Sequence, residues 1–322
     1  MANVVLYGDA VDCELKRRGE VIMRAAVFKG IGQSLQVEKV PDPSPEASEL
    51  VVAVSYCGIC GTDLHSTREG AFAAECDSIL GHEFCGHIAE IGSALKGQWE
   101  IGDRVTALPF IGCGVCKSCV NGRPFECTQV KLTGMDSPGG FAEYVKTGAS
   151  ETIKLPDGVT MESAALIEPL AVGLHAVRVA QLKAGERVLI IGAGPVGLAV
   201  SLWCQFFGAK DVLVSEMAEQ RLAMAKQMGA TGTLTPGTTL GEQFADLSGD
   251  APDVIFECVG APGLLQESID IAPRRSRIVP VGVCGEPGGA PRLRCSRVVG
   301  VGRRQGRGAD IPSAGGHAER VR

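Results

Sequence analysis

The sequence predicts an α/β protein, in which a β-rich N-terminal domain is followed by a doubly wound parallel sheet. Three observations carry this. From residue 23 to about 158, short apolar runs alternate with Gly, Pro and Asp, the texture of short strands in a barrel-like domain. From about 159, Val- and Ile-rich runs alternate with helical stretches, the rhythm of β-α-β units with helices on both faces of one sheet. A Gly-rich turn, Gly192-Ala-Gly194-Pro195-Val196-Gly197, separates the first of these runs from the first of these helices.

Residues 1–22 stand apart and read as an upstream extension. The run Met23-Arg-Ala-Ala-Val-Phe-Lys-Gly reads as the first strand of the β-rich domain, 23–158. Val51-Val-Ala-Val-Ser, Gly86-His-Ile-Ala-Glu-Ile-Gly and Asp103-Arg-Val-Thr-Ala-Leu continue it. In the second domain, 159–284, strands are expected at Arg187-Val-Leu-Ile-Ile, Val212-Leu-Val-Ser, Asp253-Val-Ile-Phe-Glu and Arg277-Ile-Val-Pro-Val. Helices are expected over 196–208, 218–228 and 263–272. Residues 285–322 break the rhythm, with nine Gly, eight Arg and no Lys, Met or aromatic residue. Such a composition reads as disordered. Its one β-like run, Val298-Val-Gly-Val, is too short to predict a strand, so the last strand of the sheet is expected to be missing. The segment reads as translation out of frame in a GC-rich gene.

Composition narrows the function. The net charge is -6, which excludes a nucleic-acid binder overall. The charge is uneven. Eight Arg against three acids leave 285–322 near +5 and the rest near -11. No apolar run approaches the roughly 20 residues that span a bilayer. An N-terminus carrying Asp9, Asp12 and Glu14 lacks the layout of a secretory signal. The cytoplasm is the expected location. There, thirteen Cys point to metal binding or buried thiols rather than disulfides.

Cys113, Cys116, Cys119 and Cys127 follow C-x2-C-x2-C-x7-C. Tetrahedral zinc needs four soft ligands converging at about 2.3 Å, and two-residue gaps let one loop wrap the ion. Gly112, Gly114 and Gly122 are expected to supply the dihedrals of that loop. Four protein ligands leave no open position, so this zinc is structural.

A second metal is predicted from Gly58-Ile-Cys60-Gly-Thr62-Asp63-Leu-His65 and Gly81-His82-Glu83-Phe-Cys-Gly86. Cys60 and His82 suit zinc as thiolate and neutral imidazole. Glu168, in Leu166-Ile-Glu-Pro-Leu-Ala, is the first candidate for a third ligand, and Glu83 is the other. Three protein ligands keep one position open for substrate, as a catalytic site requires. Thr62 and His65 lie two and five residues past the thiolate, where a hydroxyl and an imidazole form a proton path to solvent. The pair Cys57 and Cys60 has redox spacing but lacks a thioredoxin-like strand and helix around it.

In the Gly-rich turn, Gly192 makes the bend, Gly194 admits a pyrophosphate and Gly197 lets helix and strand pack closely. Pro195 and Val196 open the helix, whose N-terminus faces phosphate charge. Glu216 ends the next apolar strand, where a carboxylate accepts ribose hydroxyls and repels a 2′-phosphate, so NAD is expected rather than NADP. Arg221 lies close enough to temper that preference.

Together these motifs resemble the zinc-containing medium-chain dehydrogenase/reductase family over residues 23–284. The Glu168 form is similar to its sorbitol, butanediol and threonine dehydrogenase members. The resemblance implies a GroES-like catalytic domain, a Rossmann domain and an active site between them. It implies two zinc ions per chain, one catalytic and one structural, with NAD as hydride acceptor. It further implies a small-molecule alcohol or ketone as substrate, no nucleic-acid or membrane partner, and a homodimer or homotetramer. Within it, Cys60 and His82 resemble catalytic zinc ligands, and Glu83 an acid that enters the ligand set. Asp63 resembles the partner that orients His82, and Thr62 with His65 the proton relay. Phe256-Glu-Cys-Val-Gly260 resembles the strand lining the nicotinamide pocket. The atypical tail makes this oligomer doubtful for this chain, and leaves as the alternative a truncated, inactive zinc-binding homologue.

Overall fold

The computed structural model describes residues 22–283 apart from 71–73 and 96, together with two short strands at 5–6 and 297–298. The remainder of the extension and of the Arg- and Gly-rich tail lies outside the described residues, and with it the out-of-frame reading.

The N-terminal half is antiparallel. It contains β1 (Val5–Leu6), β2 (Ile22–Val27), β3 (Gln36–Pro41), β4 (Glu49–Gly58), α1 (Gly61–Glu69), β5 (Glu83–Ile91), β6 (Arg104–Ala107) and β7 (Phe110–Ile111). Then follow α2 (Lys117–Val120), β8 (Lys131–Leu132), β9 (Tyr144–Gly148) and β10 (Thr152–Lys154). The main sheet runs β1-β4-β5-β6-β10, and β9 also pairs with β4, along Glu49–Ala53. β2 pairs with β3, and β7 with β8. Phe28, Leu50, Val52, Phe84, Ile88 and Val105 form its core, each at most 2 % exposed. Burying a side chain of that size contributes roughly 1.5–3 kcal/mol.

The second half begins with α3 (Met161–Ala164) and α4 (Ile167–Ala180). It alternates β11 (Arg187–Ile191), α5 (Pro195–Phe206), β12 (Asp211–Ser215), α6 (Glu219–Gln227), β13 (Gly232–Leu234), α7 (Leu240–Ser248), β14 (Val254–Glu257), α8 (Leu264–Ile271), β15 (Arg277–Pro280) and β16 (Arg297–Val298). All pairings are parallel, in the order β13-β12-β11-β14-β15-β16. The continuous apolar runs follow from this. Val188 and Ile190 pack on one face with Val212, Val214, Val254 and Phe256. Leu189, Ile191, Leu213 and Ile255 pack on the other. Strands covered on both faces have no side to leave polar.

Each strand and helix expected in this half is present within a residue or two of its predicted ends. α3, α4, β13 and α7 are additions. The expectation of a missing last strand is corrected, because Arg297 and Val298 pair with Arg277 and Ile278 in the sixth position. Two β-region residues are enough to add to an open parallel edge, which periodicity over so short a run does not signal.

Candidate active site

The strand register builds the site. β4 and β5 pair antiparallel with Gly58 opposite Glu83. Cys60 follows the end of β4 and His82 precedes the start of β5, so the same pairing that forms the sheet brings the thiol and the imidazole together. Cys60, His82 and Glu83 each present a ligand atom, all within 4.8 Å of one another.

Asp63 ties the two loops. Its Oδ2 accepts the Cys60 backbone N–H at 2.9 Å, and its Oδ1 accepts that of Gly81 at 3.3 Å. Oδ1 also stands 3.7 Å from His82 Nδ1. With Nδ1 turned toward a carboxylate, Nε2 is left for a metal. Cys60 serves as N-cap of α1, so Thr62 and His65 fall in the first two turns of that helix, three residues apart and on one face. Thr62 Oγ1 lies 3.4 Å from His82 Nε2.

The electrostatics call for a cation. Burial pushes the Cys60 thiol up to about 12, with the Glu83 charge adding to it. Burial likewise raises Asp63 and Glu83 above the ordinary carboxylate range, although His82 pulls both down. Three acids gathered around one imidazole, with His82, Glu83 and Asp63 each less than 10 % exposed, are costly to ionise unless a positive ion joins them. A thiol, an imidazole and a carboxylate with a position to spare form a donor set that fits zinc.

Glu168 lies in the first turn of α4, which packs on β5, and is not part of the group of three. Of the two carboxylates, Glu83 is the one grouped with Cys60 and His82 in this structure. Strand pairing places Glu83 against Cys60 directly, whereas Glu168 arrives from a neighbouring element. Cys57 is buried, and a Cβ on Gly140 would stand 3.0 Å from its sulfur.

The four-cysteine lobe occupies the loop closed by the β7–β8 pair. Cys113, Cys116, Cys119 and Cys127 have sulfurs within 4.8 Å of one another. Backbone N–H groups of Cys113 and Gln129 point at Cys127 Sγ at 3.4 and 3.3 Å, and that of Cys116 points at Cys113 Sγ at 3.4 Å. Such donors stabilise thiolates. The N–H groups of Val115 and Cys116 hold Cys113 down at about 6, while burial and the neighbouring thiols push Cys119 up to about 12. This all-sulfur set fits a structural zinc. Gly114 and Gly122 have positive φ as expected, but Gly112 does not. A Cβ on Gly112 would stand 2.9 Å from Cys119 Sγ, so space rather than dihedral requires glycine there.

The Gly-rich turn joins β11 to α5 beside β14, where the strand order reverses and ligands bind in such sheets. Gly192 bends at φ 100°, and a Cβ on Gly197 would come within 2.0 Å of the Gly192 carbonyl oxygen. Gly194 is the N-cap of α5, with Pro195 and Val196 opening the helix. A Cβ on Gly194 would enter open space, the cradle that a pyrophosphate needs. Glu216 closes this cradle from β12. Its Oε2 accepts the Ala193 N–H at 3.1 Å, and its Oε1 accepts those of Met217 and Ala218 at 2.8 and 3.0 Å. Burial raises its carboxyl, but these donors and Arg221 outweigh that and keep it below its ordinary value. Arg221 Nη1 stands 3.6 Å from Glu216 Oε2.

Sequence reasoning named the segment Phe256–Gly260 but not the role of Glu257 within it. Its Oε1 accepts the N–H groups of Val259 and Gly260, both at 2.8 Å, pinning the turn that faces Gly192. The available signal was an acid inside an otherwise apolar strand.

A parallel sheet of this order, carrying a glycine cradle and joined to an antiparallel domain with two metal-ligand clusters, defines a zinc-binding, dinucleotide-dependent dehydrogenase architecture. A family model described as "Alcohol dehydrogenase GroES-like domain" matches residues 46–157, and one described as "Zinc-binding dehydrogenase" matches 195–314. Sorbitol dehydrogenase of Bacillus subtilis is 35% identical over 267 residues, covering 81% of this chain and 75% of that protein. L-threonine 3-dehydrogenase of Xanthomonas oryzae pv. oryzae is 34% identical over 265 residues, covering 81% and 77%. Among solved structures, a zinc-binding dehydrogenase from Sinorhizobium meliloti 1021 bound to NADP superposes with a TM-score of 0.79 at 33% identity, over 87% of this chain and 84% of that one. The chain belongs to the zinc-dependent medium-chain alcohol dehydrogenase family.

Proposed function

We propose that this chain transfers hydride between a secondary alcohol, diol or polyol and NAD. The observation that carries the reading is the convergence of Cys60, His82 and Glu83 within 4.8 Å, locked by Asp63. When bound, zinc supplies Lewis acidity to the substrate oxygen and the nicotinamide ring accepts the hydride.

The chain's own residues do the rest. Cys60 and His82 hold the metal, with Glu83, and Glu168 from α4, as the carboxylates that complete the set. Asp63 fixes the imidazole tautomer by facing Nδ1. Thr62 Oγ1, beside His82 Nε2, accepts the alcohol proton as its own hydroxyl proton leaves toward His65, on the same helix face, which gives up a proton to solvent. Gly192, Gly194 and Gly197 admit the pyrophosphate at the start of α5, and Glu216 offers its remaining lone pairs to ribose hydroxyls. Cys113, Cys116, Cys119 and Cys127 hold a second, structural zinc.

The substrate class rests on likeness to sorbitol and threonine dehydrogenases, and small-molecule substrates are the only partners the site calls for. Homodimer or homotetramer formation is carried over from the family. No described helix is long and apolar enough to cross a membrane. None of the ten described cysteines is in a disulfide, which supports a reducing compartment and hence the cytoplasm. The test is a screen of secondary alcohols, vicinal diols and polyols with NAD and NADP. Turnover that a chelator abolishes and zinc restores supports the reading. Chelator-insensitive turnover, or none with any of these substrates, refutes it.

A further inference from the structure

We infer that Gly58 is a positioning residue for the catalytic metal, because the side chain it lacks leaves the slot that holds the Glu83 carboxylate against Cys60 and His82. The inference rests on the zinc reading above. Gly58 closes β4 and lies opposite Glu83 in the sheet. Its φ is not positive, so the backbone there accepts any residue. Space is the constraint. A Cβ on Gly58 would stand 2.3 Å from Glu83 Oε2, 3.1 Å from Glu83 Cβ and 3.4 Å from its carboxyl carbon, and these are its three nearest neighbours.

The consequence is selective. A methyl group at position 58 meets no backbone closer than these atoms. The Glu83 Cβ, at 3.1 Å, has to give by only a few tenths of an ångström, whereas the carboxylate oxygen, at 2.3 Å and at the free end of the side chain, has to move further. Glu83 is 7% exposed, so the carboxylate has little free volume in which to absorb the displacement and keep its place beside Cys60 and His82. Gly58 thus acts on the metal through Glu83 and touches neither metal nor substrate.

The test holds the zinc-loaded protein in buffers of graded free Zn2+ and counts zinc per chain for wild type, Gly58→Ala, Glu83→Ala and the double variant. Misplacing a partner of a metal site typically costs 10–100-fold in affinity, so Gly58→Ala should lose one of its two zinc ions at about tenfold higher free Zn2+ than wild type. The four-cysteine zinc should be retained in every variant. In the Glu83→Ala background, Gly58→Ala should cost much less, because the carboxylate oxygen at 2.3 Å is gone and only the 3.1 Å contact with the Cβ of residue 83 is left. Three results would overturn the inference: a Gly58→Ala midpoint equal to wild type, an equal loss with and without Glu83, or loss of the four-cysteine zinc as well. Wild type holding one zinc instead of two would instead strike at the underlying zinc reading.

Discussion

Replacing Glu216 with Ala separates the two tasks that this carboxylate performs. The first is bracing. Three backbone N–H groups, from Ala193, Met217 and Ala218, lose their acceptor at 2.8–3.1 Å. A hydrogen bond to a charged group is worth about 1.5–3 kcal/mol, so the local cost reaches several kcal/mol, less where water replaces the carboxylate. The second is cofactor choice. A hydrogen bond from a ribose hydroxyl to an ionised carboxylate contributes about 1.5–3 kcal/mol. At 1.4 kcal/mol per factor of ten, its loss lowers kcat/KM for NAD by roughly 10–150-fold. NADP should not suffer the same loss. Its 2′-phosphate no longer meets a negative charge, and Arg221, now 3.6 Å from Glu216, is released to face it. The assay is kcat/KM with each cofactor for wild type and Glu216→Ala, with Tm measured alongside to isolate the bracing term. Equal losses for NAD and NADP would refute the assignment, leaving Glu216 as a brace alone. The NADP bound to the Sinorhizobium relative makes the comparison informative.

Three other variants probe separate parts of the site. Thr62→Val keeps the side-chain shape and removes the hydroxyl beside His82, so kcat should fall at least about 100-fold with zinc content unchanged; a kcat within a few-fold of wild type would remove Thr62 from the proton path. Asp63→Ala frees the Cys60 and Gly81 N–H groups and the His82 ring, and zinc retention against a competing chelator should weaken about 10–100-fold; unchanged retention would contradict its orienting role. Cys119→Ser leaves three sulfurs in the exposed lobe, and metal analysis should fall to one zinc per chain while Tm drops by roughly 5–10 °C; two retained zinc ions would show that the lobe binds its ion otherwise.

Much of this was legible in the sequence because the chemistry sits in short, local patterns. The four-cysteine spacing, the Cys60 and His82 segments and the Gly192–Gly197 turn each announce their ligand by residue type and interval. What was not legible depends on register. Nothing in the interval from Cys60 to Glu83 or Glu168 ranks the two carboxylates; the pairing of Gly58 with Glu83 does. The role of Gly58 is hidden for the same reason, since its neighbour lies across a sheet. Gly112 carried a correct residue choice with the wrong cause, a close sulfur rather than a left-handed dihedral. Glu257 is masked by the apolar strand around it, because its partners are turn N–H groups that composition does not reveal. β13 and β16 are too short for period-2 alternation to register, and only an open sheet edge defines them.

The central claim is that one zinc is held by Cys60 and His82 beside a nicotinamide cofactor. Anomalous diffraction at the zinc edge, from crystals grown with NAD, tests it most directly. Two peaks per chain are expected, one among Cys113, Cys116, Cys119 and Cys127 and one bonded to Cys60 Sγ and His82 Nε2. A single peak in the four-cysteine lobe, with zinc present in excess, would contradict the account.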